Sequence, residues 1–300
     1  MAGTHTGELA ALGTALSWSF TYVLFTVAAR QIGPDALNRL RLAIALGFLM
    51  LAHLFIYGEP FPLDAEPVRW GWLSLSGVVG FAIADAMLFR ALFFLGAQRT
   101  SLLMALVPVI STLLAWVGLA ETLTPVQIFA LLITVGGIAW VIWYRKGGSV
   151  PLPPRAHLAG VLYGIGAAIA QSLRYIFSKQ GMSGGFPILS ANIMQIMIAT
   201  ITLWLLTTLS GEVRSTINKL FHPRPNWATV SGAFTGPFLG VTLSLLALQL
   251  APVGIASTLM ALSPILLLPI SRIVFGEPMR ARTITGTVLA MVGVTLIFMS

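Results

Sequence analysis

Ionisable side chains are scarce in this 300-residue chain, so each one inside an apolar run raises a chemical question. Asp85, in GFAIADAMLFR, is the one acid well inside such a run, little more than a turn after Gly80. A carboxylate there could bind a substrate ammonium or couple a proton. It could equally be a structural hydrogen-bond acceptor, or pair with Arg41 or Arg90. Asp85 and Arg90 are five residues apart and share no helical stripe, so that pairing would be imperfect. Arg90 can snorkel to an interface. Arg174, in QSLRYIFSK, could contact a substrate carboxylate with Gln171 and Tyr175 beside it, or snorkel together with Lys179. Arg41 could draw a carboxylate or phosphate towards a cavity, or anchor its helix at the membrane surface. Ser17, Trp18, Thr21 and Tyr22 lie on one run, with Trp18 and Tyr22 at i, i+4 on a common face. Aromatic rings with polar tips suit an amphiphilic ligand, although plain helix packing uses the same residues. Asn192 and Gln195 could be hydrogen-bond glue between helices.

The elements that must hold these residues are membrane helices. Hydrophobic residues make up 57% of the chain and charged residues 9%, where soluble domains carry about 25% charged. Mean hydropathy is +0.91. These values exclude a cytosolic enzyme, a disordered chain and a nucleic-acid binder. The net charge of +8 sits in short connectors rather than on a polar face. There is no cysteine, hence no disulfide, thiolate nucleophile or Cys metal site, and no cofactor or metal is called for.

A helix needs about 20 apolar residues to cross the hydrocarbon. Such runs fall at Leu9–Ala29, Asn38–Tyr57, Trp70–Leu95, Thr100–Ala120 and Pro125–Tyr144. Five more fall at Ala156–Lys179, Phe186–Ser210, Trp227–Leu250, Val253–Phe275 and Arg282–Ser300. Residues 251–254, Ala-Pro-Val-Gly, cut a stretch too long for one crossing. The first run lacks a basic leader and follows Glu8, which argues against a cleaved signal peptide.

The two sets are copies. A shift of 156 residues lays SLLMALVPVI (Ser101–Ile110) on STLMALSPIL (Ser257–Leu266). It pairs Met104 with Met260, Pro108 with Pro264, Glu121 with Glu277, Gly137 with Gly293 and Gly80 with Gly236. A shift of 153 aligns the first spans, placing Ser19 on Ser172 and Tyr22 on Tyr175. Five crossings per copy invert the second copy relative to the first. Inverted repeats with a midplane site between them mark secondary transporters. Paired kinks at Pro108 and Pro264 suit a gate opening on alternate sides, or kinked packing without motion.

The apolar run with Pro, the turn with Glu and the Gly-containing last span resemble the EamA module. Here it reads SLLMALVPVISTLLAWVGLAETLTPVQIFALLITVGG and repeats as STLMALSPILLLPISRIVFGEPMRARTITGTVLAMVG. Leu40-Arg41 opening the second span is similar to that family's pattern too. The resemblance covers essentially the whole chain and places it with the drug/metabolite transporter superfamily. It implies ten helices and transport of small metabolites, often outward; YddG-type amino-acid exporters are one branch, which no motif here singles out.

The expectation is an all-α polytopic membrane protein of ten transmembrane helices, two inverted five-helix repeats around a central cavity. Residues 1–146 form the first repeat, 147–155 the connector and 156–300 the second. The function expected is a permease that exports an amino acid or amphiphilic compound by alternating access. A channel or lipid flippase is an alternative; an intramembrane enzyme lacks paired acids, a HExxH or a Ser/His pair. Expected substrate contacts are Ser17, Trp18, Tyr22, Asp85, Met104, Gln171, Arg174, Tyr175 and Met260, with Asp85 as the proton-coupling candidate. Partners are the lipid bilayer, a small-molecule substrate and protons, without nucleic acid. Thirteen of the 17 Lys and Arg follow odd-numbered spans. By the positive-inside rule both termini lie outside the cytoplasm of a plasma membrane, opposite to many EamA proteins.

Overall fold

The structure of the protein, a computed structural model, describes residues 2–119, 124–142, 153–221, 226–250, 256, 259–276 and 281–299. Among these residues every regular element is helical. Glu121, Glu277, Ser257, Trp143, Tyr144, the break at 251–254 and connector residues 147–152 lie outside the described residues.

The first repeat begins with α1 (Ala2–Ile32) and α2 (Pro34–Tyr57), separated only by Gly33. Pro34 supplies the fixed φ suited to a first helical turn. The third run is α3 (Pro67–Gly77), a π-helical segment (Val78–Ala84) and α4 (Asp85–Leu95). Gly96, at φ +80°, alone turns α4 into α5 (Ala97–Met104), a conformation costly for any residue with a Cβ. α6 (Leu106–Leu119) and α7 (Pro125–Ile142) follow. The second repeat comprises α8 (Pro154–Gly181), α9 (Ile188–Leu209), α10 (Val213–Phe221), α11 (Trp227–Ala233), a second π-helical segment (Phe234–Gly240), α12 (Val241–Leu250), α13 (Ser263–Phe275) and α14 (Ala281–Met299).

Among the described residues, six helices are long and apolar enough to cross a bilayer: Thr6–Ile32, Pro34–Tyr57, Pro67–Leu95, Pro154–Gly181, Ile188–Leu209 and Trp227–Leu250. Ile128–Val141, Ser263–Phe275 and Thr283–Leu296 are shorter apolar helices. The protein is turned inside out relative to a soluble one. Phe55 and Ile273 are more than four-fifths exposed, whereas Asn38, Arg41, Asn192, Gln195 and Arg174 are buried.

Two departures from the sequence reading have physical causes. The expected third and eighth spans are not uniform α-helices, because each holds a π-helical segment. The two segments are separated by the repeat shift, 156 residues. In the second, Pro237 removes a backbone donor. An amide side chain answers each segment's loosened carbonyls: Asn38 donates to the Ala82 carbonyl at 3.5 Å and Asn192 to the Pro237 carbonyl at 3.0 Å. The second departure is α10, expected as connector. It is strongly amphipathic, and Arg39 of α2 ties it down through Glu212 at 2.6 Å and Thr216 at 3.1 Å.

Packing exchanges elements between the repeats. α1 lies against α11, the second π-segment, α12 and α13, while α8 lies against α3, the first π-segment, α4, α5 and α6. Each repeat's first helix is thus seated in the other. Equivalent helices also meet their own counterparts, α2 with α9 and α7 with α14. The α7–α14 contact is backbone-close. A Cβ on Gly137 would fall 2.6 Å from the Ala290 nitrogen, and one on Gly293 2.6 Å from the Thr134 nitrogen. Without water to drive association, such close van der Waals approach holds membrane helices together.

Candidate functional site

The exchange of first helices leaves a cavity of about 120 Å³ where the repeats meet. A single water needs only ~10–15 Å³, so the space holds more than a stray solvent molecule. The lining is duplicated. Tyr22 has its counterpart in Tyr175, and Met104, Ala105, Pro108 and Val107 find theirs in Met260, Ala261, Pro264 and Ser263. The helices break at those places. Ala105 is a turn between α5 and α6, and Ala261 and Leu262 form a turn ahead of α13. Phe25, Phe81, Phe89, Trp18 and several aliphatic residues make most of the wall apolar.

The charges do not follow the duplication. Asp85 opens α4, whereas its counterpart Val241 opens α12. Arg174 corresponds to Thr21 by the shift that aligns the first spans. Arg41, Asp85 and Arg174 are the charged residues among the lining.

Arg41 is 2% exposed and bonds two acceptors. Nη2 donates to the Asp85 carboxylate, and Nε and Nη2 donate to Asn38 Oδ1 at 3.2 and 2.9 Å. Its guanidinium lies over the Phe89 ring at 4.7 Å, with Phe25 and Phe81 within 6 Å. Of the partners open to Asp85 in the sequence, the structure selects Arg41. Arg90 instead bonds Asp35 at 2.7 Å near the surface.

Arg174 is 1% exposed and differently placed. It has no carboxylate within ion-pair distance among the described residues. Nη1 reaches Gln195 Oε1 at a long 3.4 Å, and that oxygen also accepts from Ser76 and Ser178. Nε has no hydrogen-bond partner. The guanidinium stacks over Phe81 at 4.6 Å and Tyr175 at 5.3 Å. Gly80 makes room for it, since a Cβ there would coincide with the Arg174 stem. The same packing recurs in the other repeat, where a Cβ on Gly236 would meet Thr21 Cγ2 at 2.7 Å.

Of the residues expected to contact substrate, Trp18, Tyr22, Asp85, Met104, Gln171, Arg174, Tyr175 and Met260 line this cavity, as do Pro108 and Pro264. Ser17 does not. Its hydroxyl donates to the Thr235 carbonyl at 2.6 Å and staples α1 to the second π-segment. Asn192 and Gln195 also work between helices, as expected of glue. The sequence reading missed Phe25, Phe81 and Phe89. Phe25 continues the stripe of Trp18 and Tyr22, seven and three residues on, and that spacing could have found it. Among the described residues no group of three or more His, Asp and Glu could hold a metal ion.

The EamA-like transporter family model matches residues 5–143 and again residues 158–299. The chain belongs to the EamA-like transporter family. Its two-repeat, all-helical, multi-pass membrane architecture is that of this family. No curated protein sequence matches the chain. A solved crystal structure has a TM-score of 0.67 to it at 17% identity, covering 98% of this chain and 96% of that one. At that identity the likeness concerns the fold.

Proposed function

We propose that this EamA-like protein is a secondary transporter that moves a small organic solute outward by alternating access. The observation that carries the reading is the cavity itself, lined by equivalent faces of two repeats and broken at equivalent turns, Met104–Ala105 and Met260–Ala261. Ten crossings in two inverted repeats are part of the proposal. The short helices α5–α6, α7, α13 and α14 then cross together with the six long ones. Inverted repeats give two arrangements of equal packing, one facing each side. Residues 1–146 and 156–300 are the two repeats, and 147–155 links them.

The aromatic wall of Trp18, Tyr22 and Tyr175 would take the solute's apolar body, with Met104, Met260 and Gln171 adjusting around it. Pro108 and Pro264 would let the broken helices swing. Asp85 is the coupling candidate, since taking up a proton would release Arg41. Both termini are placed outside by the positive-inside rule, with α10 on the cytoplasmic surface. A reporter fused to the C-terminus tests that orientation, and activity confined to the cytoplasm would reverse it.

Solute counterflow in proteoliposomes tests the function. Vesicles loaded with an unlabelled solute should transiently concentrate the labelled form, which a pore cannot do. Equilibration without overshoot, across a panel of amino acids and amphiphilic acids, amines and amides, would replace the carrier with a channel.

A further inference from the structure

Resting on the transporter reading for the word solute, we infer that the transported molecule carries an anionic head, a carboxylate or phosphate, and that Arg174 is its anchor. The cavity wall holds two guanidinium groups and one carboxylate. Asp85 is paired with Arg41, whose Nε and Nη2 also donate to Asn38. The wall thus carries one positive charge in excess, and Arg174 is the guanidinium with no ion-pair partner among the described residues. A buried guanidinium without a counter-charge is strongly unfavourable, and a wholly structural arginine would be placed with a partner.

Arg174 lines the cavity with donors to spare. Nη1 takes the one weak bond to Gln195, while Nε is buried without a partner. Nε is one side of the planar fork that grips a carboxylate or phosphate through parallel hydrogen bonds. Phe81 and Tyr175 stack on the guanidinium and fix its plane. Gly80, by lacking a Cβ, lets the stem pass along the π-segment. An ammonium head finds the reverse situation: the only lining carboxylate is occupied, and a free cation stands beside it.

The test uses purified full-length protein and four probes built on one benzene ring: phenylacetate, phenyl phosphate, phenylacetamide and phenethylamine. Ligands that bind the folded form raise its melting temperature. Phenylacetate or phenyl phosphate should raise it, and whichever is the stronger identifies the head group. Phenylacetamide should act weakly and phenethylamine not at all. Arg174→Gln should weaken the acid's effect by roughly tenfold or more in concentration, and Arg174→Lys should restore part of it. Asp85→Asn supplies a second route that does not depend on the fate of Arg174 variants. With Arg41 stripped of its carboxylate, the acid should bind more tightly than to the parent. The inference is overturned if the acid and the amine shift the parent protein equally, neither included, or if Arg174→Gln retains the acid's full effect. Counterflow of phenethylamine alone would overturn the inference while leaving the carrier intact. Absence of counterflow for the whole solute panel would remove the carrier itself.

Discussion

The side chain of Arg174 runs through the volume that a Cβ on Gly80 would occupy, so the position of the chamber's unpaired cation depends on a hydrogen atom in the opposite repeat. Gly80→Ala must displace the stem near its middle, where it cannot simply swing aside. Overpacking of this kind costs about 1–3 kcal/mol. The variant should lose charge-selective binding along with stability, read as a lower melting temperature and a reduced response to phenylacetate. Gly236→Ala meets the short Thr21 side chain at 2.7 Å and the Phe25 ring at 3.3 Å, against outright overlap with the Arg174 stem at Gly80, and should be the milder of the two.

Breaking the Arg41–Asp85 pair should be costly in one direction and tolerable in both together. Asp85→Asn leaves a buried guanidinium, a loss of about 3–5 kcal/mol. The double variant Arg41→Gln/Asp85→Asn should recover part of that stability. Thermal melts of the two single variants and the double variant give the coupling. If Asp85 is also the coupling residue, transport by Asp85→Asn should no longer respond to an imposed pH gradient, measured in proteoliposomes.

The paired prolines should separate motion from binding. Pro108 and Pro264 stand in the first turns of α6 and α13, just past the breaks at Ala105 and Ala261, and Pro108→Ala and Pro264→Ala restore a backbone donor there. Each should slow counterflow several-fold while leaving ligand-induced stabilisation near the parent's. Equal loss of binding and transport would mean that the kinks only shape the chamber.

The α7–α14 seam should tolerate no bulk. A Cβ on Gly293 would already press on Thr134 backbone, so Gly293→Leu should block the helix pair from closing and abolish a folded, monodisperse protein in size-exclusion chromatography. Gly136, with open space around its Cβ position, is the control and should accept Ala with little change.

Much of this molecule could be read from residue types and register. The gap-free shift joining Met104 to Met260 and Pro108 to Pro264 picked out residues that line one chamber, although it led to kinks within continuous spans where the structure has turns at Ala105 and Ala261. Trp18, Tyr22, Asp85, Gln171, Arg174 and Tyr175 stood out because polar or amphipathic groups are expensive in lipid and need a reason. The rest depended on rotation and distance that spacing does not carry. Ser17 is next to Trp18 in sequence, yet about 100° round the helix, so it faces the second π-segment instead of the cavity. Spacing left Arg41 and Arg90 both open as partners of Asp85, because the Arg41 pair joins residues 44 apart in different spans. Phe81 and Phe89 carried no signal because Phe in an apolar span is ordinary, whereas Phe25 shared the stripe of Trp18 and Tyr22. The π-segments left no local signal in Val78–Ala84; only Pro237 in the second copy hinted at one.

The seating of α1 among α11, α12 and α13 has a consequence for biogenesis. α1 is synthesised about 200 residues before its berth, residues 227–250 and 263–275. Until then α1 must wait in the bilayer beside an unfinished half, exposing Thr14, Ser19 and Thr21 to lipid or to the insertion machinery. Truncation within the last three helices should therefore leave the beginning of the protein as vulnerable to proteolysis as its end.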